Sequence, residues 1–211
     1  EFAEGPLPTP GPGQVRLRIA ACALNFADLL MIQGRYQERP DPPVTLGMEV
    51  AGTVEAIGPG IDPARIGARV AVHCGHGGLA EAGVFDADRC VDLPDTMPWD
   101  AAAAIQVAHG TGHLALSRRA RLRPGETLLV LGAAGGVGLA AVEIGRCLGA
   151  RVIAVARGAE RLAVAEKAGA ARLFDSATPD LTQALRDLGR VDVVYDPVGG
   201  PLFQAAFRAL R

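Results

Sequence analysis

Thr127-Leu128-Leu129-Val130-Leu131-Gly132-Ala133-Ala134-Gly135-Gly136-Val137-Gly138 is the stretch that decides the fold. Leu128 to Leu131 is continuously apolar, as in a parallel strand buried on both faces. The glycine cluster follows at once, and a helix is predicted from about Val137 to Leu148, closed by Gly149. Glycines between a strand and a helix permit a tight turn, let backbone N–H groups approach a pyrophosphate, and let helix pack closely on strand. In the G-x-G-x-x-G register Ala133 replaces the first glycine, while Gly135 and Gly138 hold the other two places. Such a turn also serves plain packing, so its setting decides. No Gly-Lys-Ser/Thr follows, which excludes a Walker-type phosphate loop.

Downstream the pattern repeats. A strand is predicted at Arg151 to Ala156, a helix at Ala159 to Ala168 closed by Gly169, and a short strand around Leu173-Phe174. A helix from Thr178 to Leu188 leads to a strand from Val191 to Tyr195, which runs into Asp196-Pro197-Val198-Gly199-Gly200. That succession, β-α-β-α-β-α-β, is the grammar of an open, doubly wound parallel sheet. In this setting the glycine loop reads as a dinucleotide site. The last strand reads as an interior one with nothing to cover its far edge, an aggregation liability. The expectation is that the sheet is C-terminally incomplete and that the natural chain continues beyond Arg211.

Upstream the grammar differs. Val15 to Ile19 alternates apolar and polar like a half-buried strand. Val50 to Ile57 is another strand candidate, ended by Gly58-Pro59-Gly60, and Ala68 to Val72 is a third. Gly83-Val84-Phe85 and Cys90 to Leu93 continue the series. Short strands punctuated by Gly and Pro suggest a compact β-barrel, interrupted by one helix at about Asn25 to Gln33. An Ala-rich helix, Pro98 to Leu116, joins the halves. The expected division is residues 1–105 and 106–211.

Composition closes several alternatives. The 211 residues are 49% hydrophobic and 21% charged, with 21 Lys+Arg against 23 Asp+Glu. This is ordinary globular usage without the basic footprint of a nucleic-acid or anionic-membrane binder. No apolar run approaches the ~18–20 residues of a spanning helix. Cys22, Cys74, Cys90 and Cys147 are far apart with no CxxC pair, so neither a disulfide framework nor a Cys-rich zinc lobe is expected. The expectation is a cytoplasmic protein with no membrane or nucleic-acid partner.

The end of the second strand of the parallel sheet selects the dinucleotide. NAD binders usually place Asp or Glu about 20 residues on, to bond the ribose 2′-OH. This chain has Val155-Ala156-Arg157-Gly158, with Arg161 one turn further. Two guanidinium groups and no carboxylate suit a 2′-phosphate. NADPH is therefore expected over NADH, against the plainer reading of two solvated surface arginines.

Taken in order, Asn25-Phe26-Ala27-Asp28 with Gly34 and Tyr36, then Gly47-Met48-Glu49-Val50-Ala51-Gly52, then Gly67-Ala68-Arg69-Val70 resemble the medium-chain dehydrogenase/reductase superfamily. With Gly132 to Gly138 and Asp196 to Gly200 the match is to its zinc-independent quinone oxidoreductase branch. The resemblance implies a GroES-like β-barrel followed by a Rossmann domain, with the active site in the cleft between them. It implies NADPH held by Ala134, Gly135, Gly136, Val137, Gly138, Arg157, Arg161, Ser176 and Val198. Relatives commonly dimerise, so a homodimer or higher homo-oligomer is expected.

Judged by motif order, the catalytic zinc positions of the alcohol dehydrogenases of this superfamily fall on Asn25, Met48 and near Val107. None of these is a usable Zn²⁺ ligand, and Glu49 alone does not make a site. His73-Cys74-Gly75-His76 crowds one loop without a remote partner, and His109 and His113 lack both HExxH and a third ligand. No metal is expected. Hydride must then go to an acceptor whose developing charge is stabilised by hydrogen bonds, as in quinones and α,β-unsaturated carbonyls. Asn25 supplies amide donors at the old zinc position, Tyr36 a hydroxyl, and Thr111 aligns with a position near the nicotinamide. The plainer alternatives are a cap residue for Asn25 and packing for Tyr36 and Thr111. Quinone reductases often carry Tyr at the Leu30 position, Arg at Ile32 and some Tyr at Ser176, and those groups are absent here. An enoyl-thioester reductase and a non-catalytic NADPH-binding sensor are the competing readings.

Overall fold

The computed structural model describes residues 4–179, 181–189 and 191–210. They form two compact units, one reaching to Val107 and one starting at Ala108.

The first unit is built on β1 (Gln14–Ala23), β2 (Glu49–Ile57), β3 (Arg69–His73), β4 (Ala82–Asp86) and β5 (Cys90–Asp92). They pair antiparallel in the order β4-β1-β2-β3-β5. Val15, Leu17, Val50, Val54, Val70, Val72 and Phe85 bury one face into a single core. A cavity of about 400 Å³ is lined by Val72 and Cys74 from the β3 side and by Ala82 to Asp86 of β4. Those strands are not neighbours in the sheet, so the sheet curls until they face each other, as a small barrel does. On its other face Ala51 and Ala71 pack against Ala102 and Ala103 of α2 (Trp99–Ala103). Helix α1 (Phe26–Ile32) follows β1, with Asn25 as its N-cap residue.

The second unit holds β6 (Thr127–Leu131), β7 (Arg151–Ala156), β8 (Arg172–Asp175) and β9 (Val193–Tyr195), all parallel, in the order β8-β7-β6-β9. The chain steps outward from β6 to β8 and then returns to place β9 on the other side of β6. That reversal is a topological switch point, where open sheets bind ligands at the carboxyl ends of their strands. Leu128, Val130, Val152 and Ala154 face Ala141 and Val142 of α4 (Gly136–Cys147) and Ala165 of α5 (Ala159–Lys167). Leu129, Leu131, Ile153 and Val155 face Leu181 and Leu185 of α6 (Leu181–Arg186) and Ala205 and Ala206 of α7 (Pro201–Arg208). Helices cover both faces, so β6 is apolar from Leu128 onward and β7 from Val152 onward.

Several elements differ from their sequence expectation. β1 runs on through Ala20-Ala21-Cys22-Ala23, where β2 imposes the extended chain by pairing Ala21 with Ala51 and Cys22 with Val50. The joining helix is broken: α2 gives way to a π-helical stretch at Ile105–His109, a short α3 (Gly110–His113) and a second π stretch at Leu114–Arg119. α6 begins at Leu181 rather than Thr178. β9 starts at Val193, because Asp192 turns its carboxylate onto the Thr127 N–H at 2.8 Å.

Candidate active site

The glycine loop lies where β6 meets α4. Ala133 is fully buried, and its N–H donates to the Val155 carbonyl at 3.0 Å. A methyl at the first glycine place of the motif therefore fills core rather than obstructing the turn. Gly135 N–H donates to Gly132 O at 2.9 Å, and the first α4 bond runs from Leu139 N–H to Gly135 O. The N–H groups of Gly136, Val137 and Gly138 thus have no intrahelical acceptor and form the open, positive end of the helix. Gly135 and Gly136 are exposed and Ala134 and Val137 half-buried, while Gly138 is buried. A Cβ on Gly138 would stand 2.2 Å from Gly132 O, so only glycine lets α4 seat this closely.

At the β9 side of the switch point, Asp196 Oδ1 accepts from the N–H groups of Val198 and Gly199, each at 2.8 Å. This Asx turn holds Val198 against the loop: a Cβ on Gly132 would lie 2.6 Å from Val198 Cγ2. The other Asp196 oxygen is buried and has no partner among the described residues. Val198 itself is 60% exposed. The glycine loop and Val198 therefore lie side by side.

Arg157 and Arg161 are both exposed, one just past β7 and the other in the first turn of α5. Ser176 is half-buried, its N–H donating to Ala156 O at 2.9 Å. Sequence reading missed a carboxylate here. β8 pairs with β7 in a register that sets Asp175 beside Ala156. Asp175 Oδ1 accepts from Gly158 N–H at 3.1 Å and Ala177 N–H at 2.9 Å. Those two bonds, with Arg157 nearby, hold its carboxyl below the usual value.

In the first unit Asn25, Glu49 and Val107 meet. Glu49 is 1% exposed, and its carboxylate accepts the Asn25 side-chain N–H at 3.0 Å and the Val107 backbone N–H at 2.8 Å. Asp28, also buried, holds Asn25 from below: one oxygen accepts the Asn25 backbone N–H at 2.8 Å, the other the Gly47 N–H at 3.0 Å. Met48 is buried beside Glu49. The Glu49 carboxylate is already occupied by two donors, an amide and a peptide N–H, and with no second ligand of the kind zinc takes beside it the set does not fit a zinc ion. Among the described residues no group of three or more His, Cys, Asp or Glu is placed to hold a metal. Cys74 instead donates its thiol to Gly47 O at 3.3 Å, and His109 Nε2 lies 2.9 Å from Glu143 Oε2. Burial pushes the Cys22 and Cys74 thiols up to about 11.

Tyr36 is half-buried and follows α1; it shares no hydrogen bond with Asn25. Thr111 is exposed on α3 in the second unit.

Two family models match the chain in this order: the alcohol dehydrogenase GroES-like domain over residues 11–95 and the zinc-binding dehydrogenase domain over residues 136–211. Quinone oxidoreductase-like protein 2 of Bos taurus is 39% identical over 203 residues, covering 94% of this chain and 58% of the bovine protein. The chain belongs to the quinone oxidoreductase branch of the medium-chain dehydrogenase/reductase superfamily. Quinone oxidoreductase from Thermus thermophilus, solved also in complex with NADPH, superposes with a TM-score of 0.87 at 37% identity, covering 100% of this chain and 66% of that one. The CurK enoyl reductase superposes with a TM-score of 0.89 at 27% identity, covering 100% of this chain and 66% of that one. The chain therefore spans about six-tenths to two-thirds of the length of these relatives. Members of this branch thus share its GroES-like and Rossmann halves. No helix among the described residues is long and apolar enough to cross a membrane.

Proposed function

We propose that the protein is an NADPH-dependent reductase that delivers hydride to a quinone or another conjugated carbonyl without a metal. The observation that carries this reading is the Glu49 cluster: where relatives that use zinc would hold it, a buried carboxylate binds an amide and a peptide N–H. The relatives named for quinone reduction and the NADPH complex of the Thermus enzyme support it.

When bound, NADPH supplies the hydride. The open N–H groups of Gly136 to Gly138 would receive its pyrophosphate at the positive end of α4, and Arg157 and Arg161 would receive the 2′-phosphate. Ser176 and Val198 would complete the nucleotide pocket. In the first unit Asn25 has one side-chain N–H committed to Glu49, which leaves its second N–H to donate to a substrate oxygen. The Tyr36 hydroxyl would be a second donor, and Thr111 would stand on the nicotinamide side of the cofactor. Hydrogen bonds of this kind stabilise the enolate or phenolate oxygen that hydride addition creates. The acceptor is a small molecule, and the working form is a homodimer or larger homo-oligomer in the cytoplasm.

Enoyl-thioester reduction uses the same chemistry, and the likeness to CurK favours it as the second reading. The deciding experiment follows NADPH and NADH oxidation at 340 nm on the full-length protein with 1,4-benzoquinone, 9,10-phenanthrenequinone, an enone and an enoyl thioester, with and without chelator. Chelator-resistant turnover of a quinone or enone with NADPH is expected. Chelator-sensitive turnover overturns the metal-free reading. Turnover of the thioester alone moves the assignment to the second reading, and binding without turnover points to a sensor.

A further inference from the structure

The carboxylate that β8 brings to the nucleotide turn has no role in the reading above. Asp175 stands at the carboxyl end of its strand, level with Ala156 in the neighbouring strand. The next two residues of that neighbour, Arg157 and Gly158, form the turn into α5, and Gly158 takes φ 84° as the N-cap residue. That left-handed conformation is open to glycine but leaves the turn free to move unless something holds it. One oxygen of Asp175 holds it, accepting from Gly158 N–H and also from Ala177 N–H, next to Ser176.

We propose that Asp175 is a positioning residue of the nucleotide pocket: by clamping Gly158 it fixes the turn that carries Arg157, and so sets the preference for a 2′-phosphate over a 2′-hydroxyl. The proposal rests on the NADPH reading above. Two effects of opposite sign meet in one side chain. The clamp needs only an acceptor at Oδ1, and it favours NADPH by holding Arg157 in place. The charge repels a 2′-phosphate and competes with it for the Arg157 guanidinium. Asparagine keeps the acceptor and removes the charge, whereas alanine removes both.

The test measures NADPH and NADH dissociation constants, by nucleotide fluorescence on the full-length protein, for the parent and for Asp175→Asn, Asp175→Ala and Arg157→Ala. Arg157→Ala is expected to weaken NADPH about tenfold or more, from the lost charge-assisted contact, and NADH little. Asp175→Ala is expected to weaken NADPH by about fivefold to tenfold, with NADH changed by no more than about twofold, because the clamp is a single charged acceptor. Asp175→Asn is expected to rescue NADPH binding and to raise the NADPH preference about threefold above the parent, since a like charge is gone. An unchanged preference in Asp175→Asn overturns the proposal even if the alanine variant fails to fold. NADPH weakened by Arg157→Ala but untouched by Asp175→Ala overturns the clamp alone. NADPH untouched by Arg157→Ala overturns the 2′-phosphate pocket itself, and the clamp with it.

Discussion

Glu49 Oε1 accepts the side-chain N–H of Asn25 at 3.0 Å, and this bond decides which way a nearly symmetric amide faces. With Nδ2 turned to Glu49, one N–H and the carbonyl remain for anything that approaches Asn25. The same carboxylate ties down Val107 at the end of the first unit, so the pair also anchors structure. Asn25→Asp would set two carboxylates within hydrogen-bond distance in a buried place, and one of them would need a proton. Asn25→Ala only strips Glu49 of a donor, at about 1–3 kcal/mol. Urea unfolding should therefore rank Asn25→Asp below Asn25→Ala at pH 7 and bring the two together near pH 4. The aspartate pair's carboxyl value is raised on folding, so its stability is present in acid and is lost as pH rises. Equal stabilities at pH 7 would show that Asn25 and Glu49 are not held together.

Gly136 and Gly138 separate binding from folding. A Cβ on Gly138 would meet Gly132 O at 2.2 Å, whereas one on Gly136 meets nothing within 4 Å. Gly138→Ala should cost about 1–3 kcal/mol through forced backbone movement, visible as a lower melting temperature without nucleotide. Gly136→Ala should melt near the parent and yet bind NADPH more weakly, because its methyl would stand in the proposed approach of the pyrophosphate. Unimpaired NADPH binding by Gly136→Ala would displace the phosphate site from this loop.

The parts of this chain that were legible are those whose own residues carry the constraint. Leu128 to Leu131 is apolar at every position because helices cover both faces of its sheet, and Gly138 is glycine because a carbonyl occupies the place of its side chain. Ala20 to Ala23 carries no such mark: its side chains are small and suit a helix, and the strand there is imposed by pairing with β2. The π-helical stretches at Ile105–His109 and Leu114–Arg119 depend on hydrogen bonds shifted by one residue, a change that side-chain periodicity barely registers. That Asp175 stands beside the turn after β7 is not legible in the sequence, because strand pairing brings it there from β8 rather than chain order. Asn25 and Glu49 each stood out, but only the fold shows that they bond to each other.

The acid limb of stability should report Asp175. Its ordinary carboxyl value is 3.8, and the Ala177 and Gly158 N–H groups, with Arg157, hold it lower in the folded chain. A carboxyl lowered on folding contributes stability that is complete above its ordinary value and is lost as pH falls through the folded one. Asp175→Asn should therefore be less stable than the parent at pH 6, with the difference closing as the pH drops below 3. A difference that stays constant down to pH 2 would mean that the bonds to Gly158 and Ala177 do not depend on the charge.

Thiol chemistry should single out Cys147. Burial pushes Cys22, Cys74 and Cys90 up to about 11, from an ordinary 9.0, and neighbouring carboxylates add to the effect. Cys147 is exposed at the end of α4. The thiolate is the reactive form, so a thiol pushed up from 9.0 to about 11 has about a hundredfold less of it at pH 8 than it would at its ordinary value. A chromogenic aromatic disulfide at that pH should label one thiol per chain rapidly and the other three only slowly or after denaturation. Mass mapping should place the fast label on Cys147, and Cys147→Ser should abolish the fast phase. Raising the pH toward 10 should speed the slow phase, because those thiols are then nearer to ionising. A fast label on Cys22 or Cys74 would show that the packing around Gly47 is open to reagent, contrary to the half-buried thiols there.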